Sequence, residues 1–313
     1  AVYVQSGVGS FVGCSFVNNT AVGAGGAIWS SNCNALPLTN STFIGNRAGS
    51  YGGAVYFSIG CQESSHLNRT LHDTRFIGND AGVSGGAVYF ANPLGCSDTN
   101  VSIGWSFEDN RAGDWGDNVS SSISHLRMIS PPVHEYVPGS SKPFVVRFVG
   151  MDCVNQTMVG YTSSNSIKLG QALNHSKCWL QAYENTLLFH KGFINFTGVQ
   201  LLRPSGGGDC YVQASHVDSG ASAACDSNSY TVPASVVSFR PLPCGSGSYL
   251  NTTSGRCMLC PTNTYHEGTS EVIVCEACPA HQRQPAQGQT SCLPCAFPAW
   301  EPSIDGKQCQ IDG

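Results

Sequence analysis

The residues of this chain that could do chemistry are its cysteines and its Asn-x-Ser/Thr sites. The last eight of sixteen cysteines run Cys244-x12-Cys257-x2-Cys260-x14-Cys275-x2-Cys278-x13-Cys292-x2-Cys295-x13-Cys309. Cys257, Cys260, Cys275 and Cys278 have the spacing of a tetrahedral zinc site in a reducing compartment. In an oxidising compartment the same residues form disulfides. The sequons decide between the two. They stand at Asn18, Asn40, Asn68, Asn100, Asn118, Asn155, Asn174, Asn195 and Asn251, and sites so numerous imply a glycosylating secretory route. The even cysteine count then reads as disulfides, with no metal and no other cofactor expected. Local pairing gives Cys14–Cys33, Cys61–Cys96, Cys153–Cys178 and Cys210–Cys225, then Cys244–Cys257, Cys260–Cys275, Cys278–Cys292 and Cys295–Cys309. Crossed pairing between neighbouring C-x2-C pairs is the alternative for the last eight.

Carboxylates could cleave polysaccharides if they formed a row on one face. Here Glu63, Asp73, Asp80 and Asp98 are scattered, and only Glu108, Asp109, Asp114 and Asp117 cluster. That cluster reads as a polar cap rather than a site. The nine histidines show no H-x-x-x-H or His–Cys spacing, and no G-x-S-x-G context occurs. No catalytic residue is expected, and the chain reads as non-enzymatic. A polysaccharide-active enzyme is the least favoured alternative.

The elements that must carry these residues are β-strands. Charged residues make up 11% of the chain and glycine is abundant at 36 residues, a turn-rich β composition. No segment has sustained helical periodicity, and no apolar run approaches a membrane span. The net charge of -5 is dispersed, which disfavours nucleic acid as a partner. A period of about thirty residues pervades the first 120. Phe16-Val-Asn-Asn19, Phe43-Ile-Gly-Asn46, Phe76-Ile-Gly-Asn79 and Phe107-Glu-Asp-Asn110 each precede a glycine pair, at Gly25, Gly52 and Gly85, degenerating at Gly116. The Phe spacings are 27, 33 and 31, and the variation falls between the GGA strand and the next Phe. Constant cores with insertions in one place describe stacked coils carrying loops on one side.

In such a stack Phe16, Phe43, Phe76 and Phe107 form an aromatic ladder. Asn19, Asn46, Asn79 and Asn110 form an amide ladder at a bend, satisfying turn backbone. The glycines supply positive φ or close backbone approach. Tyr3, Trp29, Tyr56 and Tyr89 share one coil position; they are expected to face inward, or, if outward, to grip sugars or a neighbouring subunit. The F-x-x-N and GGA-I/V motifs resemble the repeats of chlamydial polymorphic outer-membrane proteins and of similar secreted proteins of algae and protists. That resemblance implies a right-handed parallel β-helix with a role in adhesion or surface structure, and the sequons favour the algal version.

Three domains are expected: a short right-handed parallel β-helix over 1–128, an Ig-like β-sandwich over 129–243, and a disulfide-rich module over 244–313. Ser130-Pro131-Pro132 to Lys142-Pro143 reads as a linker. Alternating runs at 144–149, 179–183, 187–202, 211–214 and 230–239 read as sandwich strands. The stretch from Gly192 through Cys210-Tyr-Val resembles Ig-like modules of algal proteins. The last seventy residues, with Cys260-Pro-Thr-Asn-Thr-Tyr and Cys278-Pro-Ala, resemble the ephrin-receptor-like (TNF-receptor-like) cysteine-rich module. Too few large apolar side chains lie there to build a core, so disulfides must replace it.

The chain opens at Ala1-Val2-Tyr3-Val4 in mid-strand, which reads as a processed product or a piece of a longer protein. A bare first coil would need upstream chain, its own tail or the next subunit to cover it. The expectation is a secreted structural glycoprotein that self-associates head to tail into a surface filament or matrix. An adhesion or receptor ectodomain binding a protein or glycan is the alternative.

Overall fold

The computed structural model describes residues 1–5, 10–31, 36, 38–58, 73–92, 104–130, 135–140, 143–162, 166–171, 178–203, 209–216, 234–268, 272–296, 300–303 and 309–311. Among them every regular element is a strand.

The described residues up to Ser121 form a parallel β-helix. One face stacks Val2–Val4, Ile28–Ser30, Val55–Phe57, Val88–Phe90 and Val119–Ser121. A second stacks Ser15–Val17, Thr42–Ile44, Thr74–Ile77 and Trp105–Glu108, and a third stacks Thr20–Ala21, Arg47–Ala48, Asp80–Ala81 and Arg111–Ala112. All pairings are parallel and in register, so Phe16 faces Phe43, Phe43 faces Phe76, and Phe76 faces Phe107. Side chains alternate across a strand, which sends Ile28, Val55 and Val88 into the core with Phe57 and Phe90.

The two glycines of each pair do different jobs. Gly25, Gly52, Gly85 and Gly116 all have positive φ, from 64 to 72°. At Gly26, Gly53 and Gly86 the backbone passes so near the next coil that a Cβ would overlap a carbonyl of that coil. In the last coil the second position is Asp117. Among the described residues no further parallel coil follows, so the constraint lapses there while Gly116 keeps its left-handed turn.

The sandwich consists of two sheets. One orders His125–Ser130, Phe144–Met151, Phe193–Leu202 and Trp179–Gln181; the other orders Glu135–Tyr136, Ser235–Pro241, Cys210–His216, Ser166–Gln171 and Thr186–Leu188. Three expectations are corrected here. The boundary at 128/129 falls inside His125–Ser130, which pairs with Phe144–Met151 and so belongs wholly to the sandwich. The Pro-rich linker contains Glu135–Tyr136, whose Tyr136 is buried in the sandwich core. The run 187–202 is two strands, because Lys191 and Gly192 both adopt positive φ and make the tight turn between His190 and Phe193.

Cys178 bonds to Cys210, replacing the expected Cys153–Cys178 and Cys210–Cys225. Cys178 leads into a strand of the first sheet and Cys210 opens a strand of the second, so the bridge staples the two sheets. Cys153 is also disulfide-bonded, and its amide donates to Ser121 Oγ at the β-helix junction. Cys14 holds a free thiol, contrary to Cys14–Cys33. Its Sγ turns back to the Val12 carbonyl in the bend before Ser15–Val17. Cys33, Cys61, Cys96 and Cys225 lie outside the described residues.

The C-terminal module is four hairpins in tandem: Ser248–Asn251 with Arg256–Leu259, Thr264–Tyr265 with Glu276–Ala277, Gln282–Arg283 with Leu293–Pro294, and Trp300–Pro302 with Cys309–Ile311. The bonds Cys244–Cys257, Cys260–Cys275, Cys278–Cys292 and Cys295–Cys309 clamp them one each, and the crossed alternative does not occur. Three residues after the leading cysteine stand Gly247, Asn263 and His281, all with positive φ. Their carbonyls accept from the amides of Cys260, Cys278 and Cys295, which chains one hairpin to the next.

Candidate functional site

The described residues most organised for a role are the ladders of the β-helix, and their geometry shows where the surface is free. Asn19 N–H and Nδ2 both donate to Asn46 Oδ1, at 3.0 and 2.9 Å. Asn46 does the same to Asn79 and Asn79 to Asn110, at the same distances. The other Nδ2 protons of Asn46, Asn79 and Asn110 go back to the carbonyls of Phe16, Phe43 and Phe76. These three amides are buried with donors and acceptors filled, as buried polar groups must be. Beside them Phe16, Phe43, Phe76 and Phe107 stack with centroids 4.8, 4.9 and 5.3 Å apart.

The stripe of Tyr3, Trp29, Tyr56 and Tyr89 faces outward, correcting the inward expectation. These residues alternate with Ile28, Ser30, Val55, Phe57, Val88 and Phe90, which take the interior. Tyr3 is 61% exposed. Its ring stacks on Trp29 at 4.5 Å, Trp29 on Tyr56 at 6.0 Å and Tyr56 on Tyr89 at 5.6 Å. Ring faces are therefore turned toward one another along the coil axis, and inside the column only edges meet solvent. A sugar needs an open ring face to stack on, so this column is an external structural ladder. Toward the sandwich it closes over: Tyr51 tilts onto Tyr89 at 4.6 Å, and burial raises the phenol pKa of Tyr51, Tyr56 and Tyr89 above the usual tyrosine value.

The acidic cluster disperses into structural roles. Glu108 pairs with Arg75 at 3.9 Å, and Asp109 occupies a left-handed turn. Asp117 Oδ1 accepts from Ala112 N–H, while Asn118 Oδ1 accepts from Asn110 Nδ2 and terminates the amide ladder. Asp114 lies against Gly160 of the sandwich, where a Cβ would overlap its carboxylate. Among the described residues no group of three or more His, Cys, Asp or Glu could hold a metal ion, and no helix is long and apolar enough to cross a membrane.

A carboxylate that sequence reasoning passed over is Asp152, fully buried where the β-helix meets the sandwich. Burial pushes its pKa up to about 6, against the backbone N–H groups of Gln156 and Val154 that donate to it. Gln156 Nε2 reaches across to the Val119 carbonyl of the last coil. Asp152 stands alone in the chain, with no repeat or spacing to mark it; only the junction makes it special.

Of the nine sequon asparagines, Asn68, Asn100 and Asn174 lie outside the described residues. Asn18, Asn40, Asn118, Asn155 and Asn195 are exposed and Asn251 is half-buried. Asn18, Asn40 and Asn155 sit in left-handed turns, with φ of 53, 47 and 62°. Among the described residues none of the six donates a hydrogen bond from Nδ2, the atom a glycan would occupy; Asn118, Asn195 and Asn251 use only Oδ1. The ladder asparagines Asn46, Asn79 and Asn110 instead commit Nδ2 as well as Oδ1.

Two family models match parts of the chain. The Chlamydia polymorphic membrane protein repeat matches residues 13–31 and 40–58, covering the F-x-x-N and GGA segments of the first two coils. The tyrosine-protein kinase ephrin type A/B receptor-like model matches residues 247–284, covering the first two cysteine-clamped hairpins and the start of the third. No curated protein and no solved structure was found to match. The repeats, the receptor-like module and the disulfides together mark an extracellular or surface protein.

Proposed function

We propose that this chain is a non-catalytic, N-glycosylated structural protein of the extracellular surface, and that copies of it associate into a filament or matrix. The observation that carries the reading is the use to which the repeated residues are put. The Phe and Asn of the stacked coils, their glycines and the outer aromatics from Tyr3 to Tyr89 serve the neighbouring coil, and the acids that could have formed a row act as turns, caps and an ion pair. Enzymes on stacked coils need a reactive row instead. The junctions between modules support the same reading, because they are bonded rather than loosely strung. Trp115 enters the sandwich core with Tyr51 and Val83 packed behind it. At the other end Cys257 N–H donates to the Pro138 carbonyl, Arg203 N–H to the Gly255 carbonyl, and Arg256 to Gln181 Oε1. Such bonded joints would limit the relative motion that is otherwise the default between domains.

Electron microscopy of native material, purified without refolding, should show end-to-end particles or fibres. Monodisperse single particles at all concentrations would sink the assembly claim. The second reading, an adhesion or receptor ectodomain, draws on the exposed Met258, Leu259, Ile273 and Val274 of the cysteine-rich module. It would be favoured if Ile273→Asp and Leu259→Asp abolished cell-surface attachment of the monomer.

A further inference from the structure

Asn195 differs from the other described sequons. Those at Asn18, Asn40 and Asn155 stand on left-handed turns, Asn118 precedes a strand, and Asn251 caps a hairpin turn through Oδ1. Asn195 is inside the ten-residue strand Phe193–Leu202 and points to the solvent face, with Ile194 and Phe196 buried on either side. Arg147 Nε, directly across on the next strand, donates to Asn195 Oδ1 at 2.6 Å. The amide plane is thereby held, with Nδ2 left over. A glycan leaving mid-strand starts over the face of the sheet, within reach of the side chains of the neighbouring strands.

The sheet offers it a platform. Trp179–Gln181 pairs with Phe193–Leu202 so that Gln181 meets Gln200, and Tyr183, two residues further, reaches Gly198. There a Cβ would overlap the Tyr183 ring, so the ring lies on bare backbone. Gly198 has a φ of 67°, at the register shift that brings Thr197 and Gly198 together to the outer face. Tyr183 is 83% exposed. Unlike the stacked column of the β-helix, its outer ring face has no aromatic partner among the described residues. Three residues of strand separate Asn195 from Gly198, roughly 10 Å, within reach of the first few sugars of a core glycan.

We propose that the N-glycan of Asn195 lies along this sheet and stacks a sugar of its chitobiose core on the Tyr183 ring. The inference rests on the reading of the chain as a glycosylated secretory product. The apolar face of a pyranose covers an aromatic face that water otherwise wets, and Gly198, having no side chain, is the residue that lets the ring approach the sheet this closely. Docked in this way the glycan ties the edge strand to its neighbour and shields the open sheet edge.

The test is a thermodynamic cycle on full-length protein made in an N-glycosylating host. Thr197→Ala abolishes the sequon while keeping the Asn195–Arg147 bond, and Tyr183→Ala removes the platform. Each should lower the sandwich melting temperature by about 2 °C, and the double variant should lose no more than either alone. Tyr183→Phe should match the wild type. An endoglycosidase cutting within the chitobiose core should release the Asn195 glycan more slowly than that of Asn155, with the difference gone in Tyr183→Ala. Additive losses, or equal release rates in the wild type, overturn the docking. Mass mapping that finds Asn195 unmodified in the wild type overturns the glycosylated reading at this site along with it.

Discussion

Asn79 and Asn19 occupy the same position in different copies of the repeat, yet their surroundings give them different weight. Asn79 is fully buried and takes part in four side-chain bonds, two accepted from Asn46 and two donated to Phe43 and Asn110. Asn79→Ala orphans several buried groups at once, so we expect a loss of about 3–5 kcal/mol by chemical denaturation. Asn19→Ala, on the partly exposed first coil, should cost about 1 kcal/mol. The glycine pair gives a second contrast. Gly53→Ala drives a Cβ into the Gly86 carbonyl and should prevent proper stacking, whereas Asp117→Gly, at the equivalent place in the last coil, should change stability by less than about 1 kcal/mol. These roles were legible in the sequence as recurrence. What recurrence left open was which glycine needs the left-handed turn and which the close approach.

At the scale of elements, the junction between the last coil and the sandwich turns on Asp152. Its folded pKa, raised by burial to about 6, lies above the unfolded value of 3.8. Between those values the folded protein binds more protons than the unfolded chain. Stability should therefore fall as pH rises from about 4 to 6 and level off above. Asp152→Asn should flatten that slope in denaturation midpoints measured across the range. The cysteine-rich hairpins depend on a different bond. Each is two short strands around one disulfide, so reduction should unfold 244–311 and expose it to proteolysis while the coils, held by ladders, persist. The regular C-x2-C spacing announced disulfide-closed loops here, though not their hairpin form. The Cys178–Cys210 staple was not announced, because no local spacing shows which strands of two sheets face each other.

For the whole molecule, Trp115 is the residue to change. It belongs to the last coil by sequence and to the sandwich core by packing, only 5% exposed and edge-on to Tyr161 at 6.0 Å. Trp115→Ala should cost about 3–5 kcal/mol and split unfolding into separable β-helix and sandwich transitions by calorimetry. In the intact protein the two should melt together. The sequence by itself determined the ladder residues, the sequons and the regular cysteine spacing, because each is a local pattern or a repeat whose copies must occupy equivalent places; whether those cysteines pair serially or crosswise it left open. Only the tertiary structure decided the outward face of the Tyr3–Tyr89 column, the cross-sheet disulfide, the buried Asp152 and the open ring of Tyr183. Those depend on which surfaces meet across long stretches of chain, and burial and register there are properties of the contact rather than of either segment.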